Sequence, residues 1–465
     1  MPFEILPTED NLIESYSNNS LDRNKYIEQF YKMLTSNSSK FSTISLDGKW
    51  GSGKTFFIKH TQLLMSVKLY EERKDYFKSI FGKYEGDKYS PIRGVVSNLD
   101  ECEVFPFYYD AWDNDSDPFP VLSILYSICK SLDNGLLEKK SITENLNSIL
   151  SCLSKSAPIL FGLPDLICYL KQINSELTSN KNKNLLLPIT DHHSIIESIK
   201  ALIKVVIDNS HCKSIVIFVD ELDRCNPSYA VRLLEDIKHY FSIDNVTFVF
   251  SVNLSELQHM VKSVYGEQFD AFRYLDRFFD IRLNLPAIDQ ERYLKQEISQ
   301  SEHIGILDHS ILAVSSLFKL ELREFYKFSK IVHLLAETDS KFNIPEAQHF
   351  VFYILLPLAI GLKLYDIEKF NNFIEGKDPS MVLKILTNPY VRQVIKLILL
   401  DNKSDLENNN GDNIEELVQD AYQAVFEVKY KNVGKCDFSG DWKSILLSKV
   451  CMIQKYTPRY ANNLN

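Results

Sequence analysis

The chain has 465 residues, of which 52 are Lys or Arg and 62 Asp or Glu, for a formal net charge of −10. That length exceeds one ordinary core and predicts two or three domains. A hydrophobic content of 45%, with 12% aromatics, is enough to fill them. The acidic balance argues against a broad nucleic-acid-coating surface. Eight cysteines with no C-x-x-C or Cys/His cluster argue against a zinc site and for reduced thiols in a cytoplasmic protein.

Met1-Pro2-Phe3-Glu4 has neither a basic n-region nor an apolar h-region, so no signal peptide is expected. Tyr26, Phe30, Met33 and Leu34 predict a helix within residues 1–40, placed beside the pocket described next. It ends in the polar loop Thr35 to Ser39.

Phe41 to Leu46 is a short apolar run, followed by Asp47-Gly48-Lys49-Trp50-Gly51-Ser52-Gly53-Lys54-Thr55 and by Phe56-Phe57-Ile58 opening a helix to about Tyr70. Gly48, four residues, then Gly53-Lys54-Thr55 fits the phosphate-binding pattern G-x-x-x-x-G-K-[ST] in its strand–loop–helix setting. Glycines let successive N–H groups turn toward an anion, and the helix N-terminus adds partial positive charge. Lys54 is expected to reach the β- and γ-phosphates of ATP, and the Thr55 hydroxyl to ligate Mg²⁺.

Residues 71–100, charged and Gly/Tyr-containing, read as an excursion over the surface. Glu103 to Trp112 predicts a second strand ending at Asp110, and Pro120 to Ser131 a helix. An interrupted helical insertion is expected at about 130–195, because 166 positions separate Lys54 from Asp220. Ser194 to Asn209 is an amphipathic helix feeding the next strand.

Ser214-Ile215-Val216-Ile217-Phe218-Val219-Asp220-Glu221 reads as a central parallel strand, buried on both faces, with an acidic pair at its C-terminal end. Ligands bind at such edges in open α/β sheets. Asp220 is expected in the Mg²⁺ shell, and Glu221 as the base that polarises the attacking water, a role worth about 10²–10⁴ in rate. After the helix Tyr229 to Phe241, Val246 to Asn253 predicts another strand at the same edge. There Asn253 would orient the water or touch the γ-phosphate. Arg273, Arg277 and Arg282 are candidate arginine fingers, in cis or from a neighbouring subunit.

Beyond about residue 288 the pattern is almost wholly helical, with helices at Ser315 to Thr338 and near 347–365, 379–400, 414–428 and 442–455. Arg323, in Leu322-Arg323-Glu324, is the candidate lid cation. Asp401 to Asp412 is a polar loop. The apolar stretches Ala157 to Leu170 and Phe350 to Leu362 are too short or too interrupted (Asp165, Pro357, Gly361) to predict membrane spans, and read as buried helices.

Five separated motifs in order resemble the KAP family of P-loop NTPases. They are Gly48 to Thr55, Asp110-Ala111-Trp112, Ile217 to Pro227 with Leu234 to Lys238, Phe248 to Asn253, and Tyr265-Gly266 to Arg277. The resemblance covers about residues 20–290. It implies an additional-strand α/β P-loop fold related to AAA+ and STAND ATPases, with ATP and Mg²⁺ as ligands. The cofactor-binding set is then Gly48, Trp50, Gly51, Ser52, Gly53, Lys54, Thr55 and Phe56. Many bacterial members resemble phage-exclusion or other defence proteins, often with inserted transmembrane helices that this chain lacks. Glu221 stands where Asp is usual in the family. Asp110 replaces the usual Asn and is expected to add charge near the pocket and engage a cation.

The division expected is an NTPase domain over 1–290 and an all-helical domain over 291–465. Three functions compete. The first is an ATP-hydrolysing switch reporting to a partner protein or to other copies of itself. The second is a nucleotide-gated assembly module with little turnover. The third is a nucleic-acid-stimulated motor, which the acidic charge and the lack of an aromatic–basic stripe disfavour. A small-molecule kinase shares the phosphate loop but lacks the acidic pair followed by the strand ending in Asn253.

Overall fold

The computed structural model describes residues 6–36, 41–117, 119–132, 191–241, 243–295, 305–337, 346–400, 414–426 and 432–455. The chain divides into two compact units, one over Leu6–Ala287 and the other from Ile288 onward.

Two helices, α1 (Glu9–Asn18) and α2 (Asn24–Ser36), open the first unit, one more than the sequence pattern predicts. Then come β1 (Thr43–Asp47), α3 (Lys54–Glu72), α4 (Lys74–Phe81), α5 (Ser90–Val96), β2 (Val104–Asp110), α6 (Pro120–Leu132) and α7 (Asp191–Ser210). The unit closes with β3 (Ser214–Asp220), α8 (Pro227–Tyr240), β4 (Val246–Val252), α9 (Leu254–Tyr265), α10 (Ala271–Asp276) and β5 (Ile281–Asn284).

The five strands form one fully parallel sheet in the order β2-β3-β4-β1-β5. An additional strand, β4, therefore separates the phosphate-loop strand β1 from the acidic strand β3. β3 and β4 are buried at every position, as a sheet covered by helices on both faces requires. Pro106 is accommodated because β2 is an edge strand, where a missing N–H costs no ladder bond.

Residues 71–100 are not a surface excursion. Phe77, Phe81, Tyr84, Tyr89 and Ile92 of α4, α5 and the short turns between them are buried, and Phe81 stacks on Phe105 of β2 with ring centroids 6.1 Å apart. The charges that suggested a loop lie on the outer side of short amphipathic helices. The expected insertion and the apolar run Ala157 to Leu170 lie mostly or wholly outside the described residues, as does the loop Asp401 to Asp412.

The second unit is mainly helical but not entirely so: Asn432–Val433 and Cys436–Asp437 pair as a small antiparallel hairpin. The single helix expected from Ser315 is two, Ile306–Phe318 and Leu322–Glu337, divided where Lys319 turns left-handed at φ 53°. The one expected near 379–400 is also two, with Asn388 capping Pro389–Leu399. Conversely, Glu346–Tyr365 runs unbroken for 20 residues, long and apolar enough to cross a membrane, yet 72% of its most apolar window is buried within the unit. Pro357 does not stop it, because a π-helical stretch, Phe350–Leu355, precedes the proline and absorbs its missing hydrogen bond.

Candidate functional site

Gly48 follows β1 and its N–H donates to the Val252 carbonyl at the end of β4 (3.1 Å), while Asp47 accepts from the N–H of Leu254 at 2.8 Å. The loop thus starts from the same sheet edge as Asn253. Gly51 and Gly53 take φ values of 78° and 92°, a region that penalises any side chain, so the loop backbone depends on glycine there. Ser52 is buried and its hydroxyl donates to the Lys49 carbonyl at 2.7 Å. Lys54 starts α3 and folds its ammonium back onto the carbonyls of Gly48 (2.6 Å) and Lys49 (3.2 Å). Thr55 and Phe56 follow, both half-buried, with Phe56 against the His60 ring at 5.9 Å.

The acidic end of β3 faces this loop. Asp220 is 1% exposed and accepts a hydrogen bond from the Tyr108 hydroxyl at 3.0 Å. Glu221 sits in the left-handed region at φ 58°, which turns the chain sharply out of the sheet. Its carboxylate pairs with Arg224 at 2.5 Å, and the Arg224 guanidinium lies 5.8 Å from the Trp112 ring centroid. Burial first, and then the neighbouring Asp220 charge, push Glu221 up to about 7, with Arg224 opposing. Asp223, also buried, accepts the Trp50 indole N–H at 2.6 Å, and burial raises its pKa. Burial lowers the Lys54 pKa, while Asp223, Asp220 and Glu221 counter it, in that order. These four residues therefore share one electrostatic neighbourhood.

Trp50, Lys54, Asp220 and Glu221 lie in this one neighbourhood. Asn253 does reach this edge, but its side chain is occupied, accepting from the Ser255 N–H at 3.2 Å as the cap of α9. The Asp110 carboxylate accepts from the backbone N–H groups of Trp112 (3.1 Å) and Asp113 (3.2 Å), shaping the turn after β2. Arg277 is exposed at the end of α10. Arg273 pairs with Asp270, and Arg282 with Asp276 while stacking on Phe272. Arg323 belongs to the second unit, as the second residue of Leu322–Glu337.

Three further residues belong to the site. Arg23, 3% exposed just before α2, donates to the Ser52 carbonyl at 2.9 Å; no sequence pattern connects positions 29 apart. Tyr108 and Asp223 are the others. The Asp223-Arg224 pair directly after the acidic strand was the one readable signal.

No curated protein matches the chain in sequence. A solved structure of the Aeropyrum pernix ORC2 protein (ADPNP–ADP complexes) aligns over 87% of this chain and 93% of its own at 13% identity, with a TM-score of 0.30. A likeness at that score fixes neither fold nor function. Residues 23–338 match the KAP family P-loop domain. That match spans more than half of the chain and includes both the glycine loop and the acidic strand, and the protein belongs to the KAP family of P-loop NTPases.

Proposed function

We propose that this chain is a Mg²⁺-dependent ATP-binding and ATP-hydrolysing switch of cytoplasmic anti-phage defence, in which the NTPase domain (1–290) drives a helical domain (291–465) that signals to a partner protein or mediates assembly. The observation that carries the reading is the convergence of Lys54 with Asp220, Glu221 and Asp223 across an intervening strand.

The residues suit the ligand. Gly51 and Gly53 would supply backbone N–H groups, and the Lys54 ammonium, now held by two loop carbonyls, is free to exchange them for phosphate oxygens. Thr55 and Asp220 would hold Mg²⁺. Among the described residues no three acidic or imidazole groups form a metal cage by themselves, which suits an ion bound through one or two protein oxygens plus phosphates. The ion would neutralise charge building up on the phosphates. Glu221 accepts the proton of the attacking water, Asn253 orients that water, and Arg277 and Arg323 are the cations proposed to answer the departing charge.

A second reading, nucleotide-gated assembly with little turnover, is favoured by one observation: the base Glu221 is tied to Arg224 and titrates near neutrality. Steady-state ATPase assays and mass photometry on the wild type, Lys54→Ala and Glu221→Gln decide between them. The switch requires turnover that both variants abolish, with only Lys54→Ala losing ATP binding. Wild-type assembly on ATP without turnover, retained by Glu221→Gln, selects the second reading. Absence of ATP binding by the wild type removes both.

A further inference from the structure

We propose that Tyr108 is a positioning residue for the divalent cation, acting through Asp220; this rests on the assignment of Asp220 to the cation's shell. In the β2–β3 ladder Tyr108 pairs with Phe218, and Asp110 with Asp220. Tyr108 therefore shares the face of Phe218 and Asp220, and lies two residues, about 6.6 Å, short of Asp220 along the strand direction. A tyrosine ring spans that step, and its hydroxyl donates to Asp220 Oδ2 at 3.0 Å.

An aspartate's terminal torsion is broad, so a lone strand-end carboxylate has no fixed plane. A donor clamped on one oxygen sets that plane and leaves Oδ1 to face the ion or its bound water, much as outer partners orient metal-binding carboxylates elsewhere. The phenol is itself held. Lys59, one turn past Thr55 on α3, stands 4.5 Å from the ring centroid, and a cation on the π face draws density from the ring and strengthens its O–H as a donor. A phenylalanine would fill the same space without the cost of desolvating a hydroxyl.

The test is Tyr108→Phe in the full chain, followed by binding of a fluorescent ATP analogue in EDTA and across a Mg²⁺ titration, with the thermal midpoint as a folding check. Affinity in EDTA is expected to match the wild type, while the Mg²⁺ midpoint rises about tenfold. In a double-mutant cycle, Tyr108→Phe added to Asp220→Asn is expected to produce no further rise. An unchanged Mg²⁺ midpoint, or equal losses with and without Mg²⁺, overturns the proposal while leaving the site intact. Wild-type binding that ignores Mg²⁺ overturns both the proposal and the cation assignment beneath it.

Discussion

The Trp50 indole N–H and the Asp223 carboxylate meet at 2.6 Å, joining the tip of the phosphate loop to the turn after β3 across 173 positions of sequence. The carboxylate is buried and the indole half-exposed, so the bond is charge-assisted on its inner side and open to solvent on its outer side. It ties the loop's shape to the turn after the acidic strand, in addition to the strand pairing that already sets the two side by side.

Removing the donor is expected to loosen that tie. Trp50→Phe should weaken ATP-analogue binding about 5–10-fold, which corresponds to roughly 1–1.4 kcal/mol, the net worth of one partly solvated hydrogen bond. Asp223→Asn keeps a side-chain carbonyl acceptor and should recover most of the affinity that Asp223→Ala loses. Equilibrium titration of the three variants checks the ranking, and identical affinities for all three would show the contact to be incidental.

Glu221 predicts a pH limb. A base pushed up to about 7 by burial is protonated below that pH, so log kcat/KM is expected to rise with unit slope up to about pH 7 and then level off. The stability term has the opposite sense. The folded pKa exceeds the ordinary 4.5, so the stabilising contribution is complete below 4.5 and is lost as pH rises through 7. Glu221→Gln should therefore gain in thermal midpoint over the wild type progressively between pH 4.5 and 7. A constant difference across that window refutes the assignment.

Arg23 is a buried cation whose Nη1 holds the Ser52 carbonyl at 2.9 Å. Arg23→Met keeps most of the volume but deprives that carbonyl of its charged donor, at an expected cost of about 1–3 kcal/mol. The loss should appear both in denaturant unfolding and as weaker nucleotide binding, because the bond lies inside the phosphate loop. A loss of stability with unaltered binding would assign Arg23 to packing alone.

Gly361 tests the helical unit. A Cβ there would lie 2.7 Å from Val314 Cγ1 and 2.9 Å from Phe318 Cε2, on the neighbouring helix Ile306–Phe318. Gly→Ala inside a helix ordinarily stabilises by about 1 kcal/mol, but overpacking of this kind costs about 1–3 kcal/mol. Gly361→Ala is therefore expected to lower the unit's unfolding midpoint, and a higher midpoint in calorimetry would show that the two helices part freely.

The local chemistry was legible in the chain itself. Glycines spaced ahead of Lys54-Thr55, and unbroken apolar runs ending in Asp220-Glu221 and Asn253, identify strand ends and a phosphate loop, because those signals need only neighbours in sequence. The same local reading misjudged residues 71–100. Charge density says how a segment meets water, but not what packs against its other side. Only the tertiary structure decided that Asp110 serves a turn and that Arg23, Tyr108 and Asp223 lie beside the phosphate loop and acidic strand end. Hydrogen bonds between positions 29 to 173 apart follow from strand order and register, which side-chain periodicity leaves open.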